Sequence, residues 1–309
     1  MGNQADAAAA ARAGYALMGG GTDLDEAFVW LCERAGGGDF LVLRATGTDA
    51  YNPYIKKLCP KLNSVATLVI PNRAAAGDAE VARKIAEASG LFISGGDQAN
   101  YINFWMGTPV QAAMNEAVAR GIPLGGTSAG LAVMGEWAYS AQGDKPDDLD
   151  LTGKMAMADP VGPRVTLVHG FLRIPALNGV ITDTHFVRRE RMERLLVFLA
   201  RLDEPDGKPV PPGARRYRGI GVDQEAAVLL DPDGAARVVG KGDVYFIDTR
   251  AATGKLAKGA QVAFGPFEVR RVAPGHAFNI ATWSGDATTY TLSIQSGITY
   301  STQAHGSTY

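Results

Sequence analysis

Short apolar runs alternate with helix-like segments over the first 125 residues of the chain. The runs are almost continuously apolar, as is typical of strands covered on both faces, and lie at 15–18, 40–43, 65–70, 91–93 and 122–125. Between them, apolar positions at helical spacing predict helices, which begin after Thr22 or Asp23 and cover 78–88 and 109–120. This alternation predicts an α/β fold with a parallel sheet flanked by helices.

Glycine-rich stretches follow three of the predicted strands. They are Gly19 to Gly21, Gly95–Gly96, and the stretch from Gly125 to Ser128. Ligands of open parallel sheets bind beyond the carboxyl ends of the strands, so these stretches mark the expected rim of a site. The first stretch lacks the spacing of a phosphate-binding loop and is interpreted as a tight turn.

The pattern changes in the second half of the chain. Residues 140–164 are polar and irregular and are interpreted as a loop over the site, and 205–213 resemble a linker. Strands are predicted at 165–168 and 179–182, and a strongly basic helix at 188–202. From residue 220 onward, short alternating segments separated by turns predict β-structure. We expect an α/β domain over 14–234 and a β-rich extension over 235–309.

Composition and charge fit an ordinary globular protein. The chain has 309 residues, of which 46% are hydrophobic, and a net charge of −2. This balance gives no reason to expect nucleic acid or a membrane as partner. Cys32 and Cys59 form neither a disulfide framework nor a metal-ligand pattern, and whether they pair with each other stays open. No metal or other cofactor is expected, because no His, Cys or carboxylate cluster has ligand spacing.

The fifth strand leads into a motif that carries chemistry. Gly126-x-Ser128-x-Gly130 matches the nucleophile elbow, in which a serine on a tight strand-to-helix turn exposes its hydroxyl. The helix that follows points its unpaired N–H groups at the same place. The alternative is a glycine-rich turn without chemistry, and the histidines bear on that choice.

A serine nucleophile needs a base, and the chain has four histidines. His185 follows a predicted strand end and precedes a helix, which places it at the same rim as Ser128. His169 is the rival, interpreted as a histidine in or beside a strand. His276 and His305 belong to the β-rich extension. The acid candidates come after His185 along the chain, an order that disfavours an α/β-hydrolase.

Four linked motifs resemble cyanophycinase-like serine exopeptidases of peptidase family S51. They are Gly95-Gly-Asp-Gln98, Gly125-Gly-Thr-Ser-Ala-Gly130, Asp183-x-His-Phe186 with its downstream arginines, and Gly219-Ile-Gly-Val-Asp223, in the family's order. The resemblance covers about residues 14–247. It implies a flavodoxin-like or class I amidotransferase-like parallel sheet.

The resemblance also assigns roles to individual residues. It implies Ser128 as nucleophile, His185 as general base and later acid, and the backbone N–H groups of Gly96 and Ala129 as oxyanion donors. Cyanophycin is a polyaspartate whose side-chain carboxyls carry arginines, and the family releases β-Asp-Arg dipeptides from it. Substrate contacts are implied for Gln98, Asp183, Arg189, Arg191 and Arg194, whereas Arg188 is expected on a solvated helix face. A guanidinium suits a free carboxylate because it binds both oxygens at once.

The third member of the triad departs from the family pattern. Relatives carry a glutamate where this chain has Gln224, and Glu225 follows it. Gln224 could orient the imidazole but cannot offset its positive charge. Glu225 could take the role through a one-residue shift, although strand alternation turns it to the opposite face. Both residues stay candidates.

The leading hypothesis is therefore hydrolysis of cyanophycin to β-Asp-Arg dipeptides through a Ser-His-acid acyl-enzyme mechanism. The alternatives are an aspartyl or isoaspartyl dipeptidase of the same family and a catalytically weak binding protein, which Gln224 favours. The resemblance further suggests a homodimer and, from the β-rich extension, a secreted rather than cytoplasmic location.

Overall fold

The structure is a computed structural model that describes residues 1–3, 5, 9–145, 150–203, 217–249, 252–256 and 262–309. Within these ranges the helices are α1 (Asp25–Arg34), α2 (Tyr51–Leu58), α3 (Arg73–Ala76), α4 (Ala79–Glu87), α5 (Gln98–Trp105), α6 (Pro109–Ala119), α7 (Ala129–Ala132), α8 (Gly153–Ala158) and α9 (Met192–Asp203). The predicted 205–213 linker and part of the 140–164 loop lie outside the described residues.

The strands fall into two groups along the chain. The first group, which precedes α9, holds β1 (Tyr15–Met18), β2 (Asp39–Arg44), β3 (Ser64–Val69), β4 (Gly90–Ile93), β5 (Leu124–Thr127), β6 (Trp137–Tyr139), β7 (Leu167–His169) and β8 (Val180–Asp183). The second holds β9 (Arg218–Val222), β10 (Ala226–Leu230), β11 (Ala235–Gly240), β12 (Val244–Asp248), β13 (Thr253–Lys255), β14 (Ala263–Val272), β15 (Ala277–Asn279), β16 (Ser284–Gly285), β17 (Thr288–Gln295) and β18 (Ile298–Ser301).

The first sheet has the strand order β16-β15-β11-β10-β1-β5-β4-β2-β3. Its β1, β5, β4, β2 and β3 are parallel, and each of the five predicted apolar runs overlaps one of them. Neighbouring residues of β1 belong to different core clusters, Leu17 to one and Met18 to another. Because neighbouring strand residues point to opposite faces, the strand is buried on both faces. The predicted α/β class, with a parallel sheet flanked by helices, is confirmed.

A second sheet, which the sequence did not predict as separate, has the order β18-β17-β14-β12-β9-β8-β6-β7, with β13 paired to β14. It is mixed, because β8 runs parallel to β6 and β9 while most other pairs are antiparallel. The strands predicted near 165–168 and 179–182 both belong to it. Its β8 delivers the segment that begins with His185.

The β-rich region after residue 234 is present, and it extends both sheets. In the first sheet β11 pairs with β10, and in the second sheet β12 pairs with β9, so strands from both sides of the predicted boundary are hydrogen-bonded neighbours. The domain boundary at residue 234 therefore stays a prediction. Two strand pairings cross it, β10 with β11 and β9 with β12.

The predicted basic helix at 188–202 begins later than expected. The structure starts α9 at Met192, after turns that include Glu190 with a φ of 49°. Most of α9 is buried rather than solvated. Cys32 and Cys59, whose pairing was open, form a disulfide with a Cα–Cα distance of 6.2 Å. Among the described helices, none combines the length and apolarity that a membrane crossing requires.

Candidate active site

The elbow at Ser128 is built by glycines on both sides of it. After β5, Ser128 adopts φ 52° and ψ −118°, and α7 begins at the next residue. A Cβ built on Gly126 would lie 2.6 Å from the Gly130 carbonyl oxygen, and one on Gly130 would lie 2.1 Å from that of Ile93. Side chains at either position would push strand and helix apart. The motif therefore has the strained turn that a nucleophile elbow requires.

His185 reaches this serine from the end of β8. Its Nε2 lies 2.7 Å from Ser128 Oγ. The His185 N–H donates to the Gly19 carbonyl oxygen at 2.8 Å, and a Cβ on Gly20 would lie 2.5 Å from the imidazole Cε1. The glycine turn after β1 thus lets the ring lie flat against the backbone. The two residues that the sequence placed at one rim are in contact.

The surroundings of His185 keep its ring neutral. The pKa of His185 is lowered to about 4, mainly by burial and then by the positive charges of Arg189 and Arg191, against the opposing effect of Asp183 and Asp150. A neutral imidazole has one nitrogen free to accept a proton. The electrostatics therefore suit a base but disfavour the imidazolium that forms when the base has worked.

Gln224, not Glu225, occupies the third position. The Nε2 atom of the Gln224 side-chain amide lies 2.6 Å from Nδ1 of His185. Glu225 turns away and forms an ion pair with Lys241 at 2.7 Å, which helps to lower the pKa of the Glu225 carboxyl. Of the two alternatives that the sequence left open, the geometry brings only Gln224 to the histidine.

The orientation of the Gln224 amide decides which imidazole nitrogen carries the proton. An amide NH₂ that donates to Nδ1 leaves the proton on Nε2, which then donates to Ser128 and cannot accept from it. A half-turn of the amide presents its carbonyl oxygen instead, so that Nδ1 is protonated and Nε2 is free to accept. A carboxylate would permit only the second arrangement.

A cavity of about 580 Å³ opens beside Ser128. Its lining includes Gly96, Gln98 and Ala129, three of the residues predicted to lie around Ser128. Gly96 has a φ of 153°, and a Cβ there would lie 3.3 Å from the Tyr101 hydroxyl. Ala129 is the first residue of α7, where backbone N–H groups have no partner within the helix. Both proposed oxyanion donors therefore border the same space as the hydroxyl.

Two of the predicted arginines converge on one carboxylate. Arg189 Nη1 and Arg191 Nη2 donate to Asp150 Oδ2 at 2.6 and 2.8 Å. Arg191 also donates to the Thr184 carbonyl oxygen at 3.0 Å, and its burial lowers its pKa to about 10. The Asp150 side chain is 62% exposed, so an anion entering the cavity can compete with it for the guanidinium groups.

Asp183 and Arg194 bind each other, although Arg194 also borders the cavity. Arg194 Nε donates to Asp183 Oδ2 at 2.7 Å, Nη1 donates to the Leu151 carbonyl oxygen at 3.0 Å, and both side chains are only 3% exposed. Their predicted substrate contacts are not favoured by this geometry. The pair ties α9 to the end of β8, next to His185.

Two residues of the site were given no role from the sequence, although Asp223 ends one of the quoted motifs. Asp150 lies in the polar loop, where nothing in the pattern distinguishes it from its neighbours. Asp223 accepts from the N–H groups of Val187 and Arg188 at 3.0 and 3.1 Å, and so holds the turn after His185.

The rival His169 lies on β7 beside Glu136, with 3.0 Å between His169 Nε2 and the carboxylate.

Comparisons with known proteins show which proteins this chain is similar to. The family model described as peptidase family S51 matches residues 24–157. A cyanophycinase of Synechococcus elongatus is 28% identical over 228 residues, and the match covers 71% of this chain and 62% of that protein. A cyanophycinase of Trichormus variabilis is 32% identical over 190 residues, and the match covers 61% of this chain and 55% of that protein. The chain thus aligns with under two thirds of the length of these relatives.

Among solved structures, a peptidase from an acI-B1 Actinobacterium covers 88% of this chain and 98% of its own, with a TM-score of 0.56 at 18% identity, which supports the fold alone. The fold and the Ser128–His185 contact define the class: an α/β protein that holds a serine hydroxyl against an imidazole, the arrangement that serine-type hydrolases use. The matched family model and the curated relatives show, more narrowly, that part of the chain is similar to peptidase family S51 and to cyanophycinases.

Proposed function

We propose that this chain hydrolyses cyanophycin to β-Asp-Arg dipeptides by a serine acyl-enzyme mechanism. The single observation that carries the proposal is the 2.7 Å contact between Ser128 Oγ and His185 Nε2 at a cavity open to solvent. The relatives that bear the name cyanophycinase suggest the substrate.

The site residues supply each step of such a reaction. With the Gln224 carbonyl facing Nδ1, His185 Nε2 takes the Ser128 proton as Oγ attacks the carbonyl carbon of the scissile amide. The N–H groups of Gly96 and Ala129 stabilise the oxyanion. His185 then gives its proton to the departing amine, which leaves an acyl-serine ester. Water, deprotonated by the same histidine, hydrolyses that ester.

The charges around the cavity match a β-Asp-Arg unit, which carries free carboxylates and a guanidinium. The lining holds three acidic side chains (Asp97, Asp144 and Asp150) and four basic ones (Lys145, Arg189, Arg191 and Arg194). We assign the carboxylate of the substrate to Arg189 and Arg191, because Arg194 is committed to Asp183. Gln98, at the start of α5, is placed to contact the aspartyl part.

The decisive experiment incubates the protein with insoluble cyanophycin and follows its clearing, with dipeptide release measured by mass spectrometry. Wild type should clear the suspension, and Ser128→Ala should lose essentially all of that activity, because no other group replaces the nucleophile. Ser284→Ala, an exposed serine of β16, serves as the matched control and should clear at the wild-type rate.

Other outcomes separate the alternatives. Cleavage of β-aspartyl dipeptides without clearing of the polymer would indicate a dipeptidase. Binding of cyanophycin without any product would indicate a binding protein, the alternative that the uncharged Gln224 favours. Activity retained by Ser128→Ala would contradict the assignment of the nucleophile.

A further inference from the structure

The segment that carries the reacting histidine is a turn, which we call the histidine turn and define as residues 185–192. It joins β8 to α9 and contains His185, Arg189 and Arg191. His185 and Glu190 both have φ values in the left-handed region, 46° and 49°. Such backbone conformations are unfavourable for residues other than glycine and persist only when their surroundings hold them. The geometry of the site therefore depends on what grips this turn.

Tyr309, at the far end of the β-rich extension, binds both ends of the histidine turn through one hydroxyl. Met192 N–H donates to the Tyr309 hydroxyl oxygen at 2.9 Å, and the hydroxyl donates to the Phe186 carbonyl oxygen at 3.4 Å. Met192 is the first residue of α9, where a backbone N–H has no partner within the helix. The phenol oxygen supplies that partner, in the way that a capping side chain does.

The tyrosine ring packs beneath the same turn. Its centroid lies 6.0 Å from that of Phe186 and 5.7 Å from that of Tyr245, both in edge-to-face contact. The Phe186 ring in turn rests against Gly221, where a Cβ would come within 2.5 Å of it. Burial raises the pKa of Tyr309, so the hydroxyl keeps its proton and can donate and accept together.

The extension itself fixes Tyr309 in place. Tyr290, on β17, donates to the Thr308 carbonyl oxygen at 2.8 Å, and Ser307 Oγ donates to the Tyr309 carbonyl oxygen at 2.7 Å. The contact with the histidine turn is therefore built into the β-rich region, which otherwise brings no residue to the described cavity lining.

We propose that Tyr309 is a positioning residue whose hydroxyl clasps the histidine turn and keeps His185 against Ser128. This gives the β-rich extension a part in the reaction without any contact with substrate. The inference rests on the proposed function of the Ser128–His185 pair.

The test compares Tyr309→Phe, which removes only the hydroxyl, and Tyr309→Ala, which removes the ring as well, with wild type. Tyr300→Phe, at an exposed tyrosine on β18, is the matched control. Hydrogen–deuterium exchange measures the grip directly. Backbone amides of 185–192 should exchange about five- to tenfold faster in Tyr309→Phe, because one hydrogen bond is lost at each end of the turn. Amides of the parallel strands should be unchanged.

A second readout follows the chemistry without any assumption about substrate. Diisopropyl fluorophosphate forms a bond from Ser128 Oγ to phosphorus with loss of fluoride, and the serine proton passes to His185. We expect labelling about five- to tenfold slower in Tyr309→Phe at the wild-type pH optimum. The acid limb of the pH profile should also move to higher pH. A loosened turn admits water to His185, which weakens the effect of burial and raises the pKa of the imidazole. A loss of global stability alone would not move that limb.

The outcomes are separable. Unchanged exchange of 185–192 in Tyr309→Phe would overturn the clasp, as would slow labelling in Tyr309→Ala alone, which would assign the effect to ring packing. If wild type resists the reagent altogether, the proposed function of Ser128 fails, and the exchange experiment still decides whether Tyr309 holds the turn.

Discussion

At the scale of single residues, the site differs from a charged triad by one amide. His185 has Gln224 at Nδ1 and two arginines nearby, and burial together with these arginines outweighs the favourable effect of Asp183 and Asp150 on its protonated form. A triad histidine must become positive during the reaction, and a carboxylate normally stabilises that state. The proposed base is therefore well placed against Ser128, but its charged form has weak support.

Replacing Gln224 with glutamate should raise the rate roughly ten- to a hundredfold, because a carboxylate both selects the useful tautomer and stabilises the imidazolium. It should also shift the pH profile. The active form has neutral His185, whose pKa is lowered to about 4, so wild-type activity should persist in mild acid. The carboxylate raises that pKa, and the acid limb of kcat/KM should move to higher pH.

The control for this substitution is Glu225→Gln. Because Glu225 faces Lys241 rather than the histidine, its loss should leave kcat/KM nearly unchanged. A large loss in Glu225→Gln together with no gain in Gln224→Glu would mean that the two residues exchange roles in solution.

A second prediction at the scale of single residues concerns Asp150. It holds Arg189 and Arg191 where we place the substrate carboxylate, so the substrate must compete with it. Asp150→Asn should lower KM about three- to tenfold with little change in kcat, since it removes an exposed competing charge. Steady-state kinetics on a soluble β-aspartyl dipeptide measure this.

Asp97→Asn is the matched control for Asp150→Asn. It removes a charge from the same cavity while an asparagine still caps α5, so KM should not fall. If Asp150→Asn instead raises KM, Asp150 orients the arginines rather than competing with substrate.

At the scale of elements, the sequence was informative where one physical requirement dominated. The five parallel strands were predictable because strands buried on both faces are continuously apolar. Ser128 and His185 were predictable because both follow strand ends at one rim. Helix α2 was not predicted, since Pro53 interrupts a short segment, and α5 was not, since apolar residues lie around much of its circumference.

The start of α9 shows what local pattern leaves out. The run of arginines and glutamates from Arg188 has helical spacing, yet the chain forms turns there and starts the helix at Met192. The turn is held by contacts from distant parts of the chain, namely the Gly19 carbonyl, the Asp223 carboxylate and the Tyr309 hydroxyl. Only tertiary structure brings these partners together, and the same holds for Asp150 at the arginines.

At the scale of the whole molecule, the two sheets meet at the Ser128–His185 pair. Ser128 comes from the first sheet through β5, and His185 comes from the second through β8. Changes that loosen one sheet relative to the other should therefore weaken the contact, whereas changes confined to the far side of the first sheet should not. The Cys32–Cys59 disulfide lies in the core cluster formed with α1 and α2, and it gives a way to test that difference.

Removing this disulfide should lower stability while sparing the site. It closes a loop with a sequence separation of 27, for which the chain-entropy effect is about 3.5 kcal/mol. Cys32→Ala/Cys59→Ala should unfold at lower urea concentration than wild type by a corresponding amount. Wild type treated with a reductant is the matched control and should move toward the variant.

Labelling of Ser128 by diisopropyl fluorophosphate, measured without denaturant, should be the same in the double variant and in wild type, because neither cysteine borders the cavity at Ser128. Slow labelling in a variant that is still folded would show that the disulfide side of the first sheet controls the reacting pair. Stable disulfides are typical of oxidising compartments, so a large stability loss would also fit the predicted secreted location. Free thiols in the purified wild-type protein would contradict both the pairing and that argument.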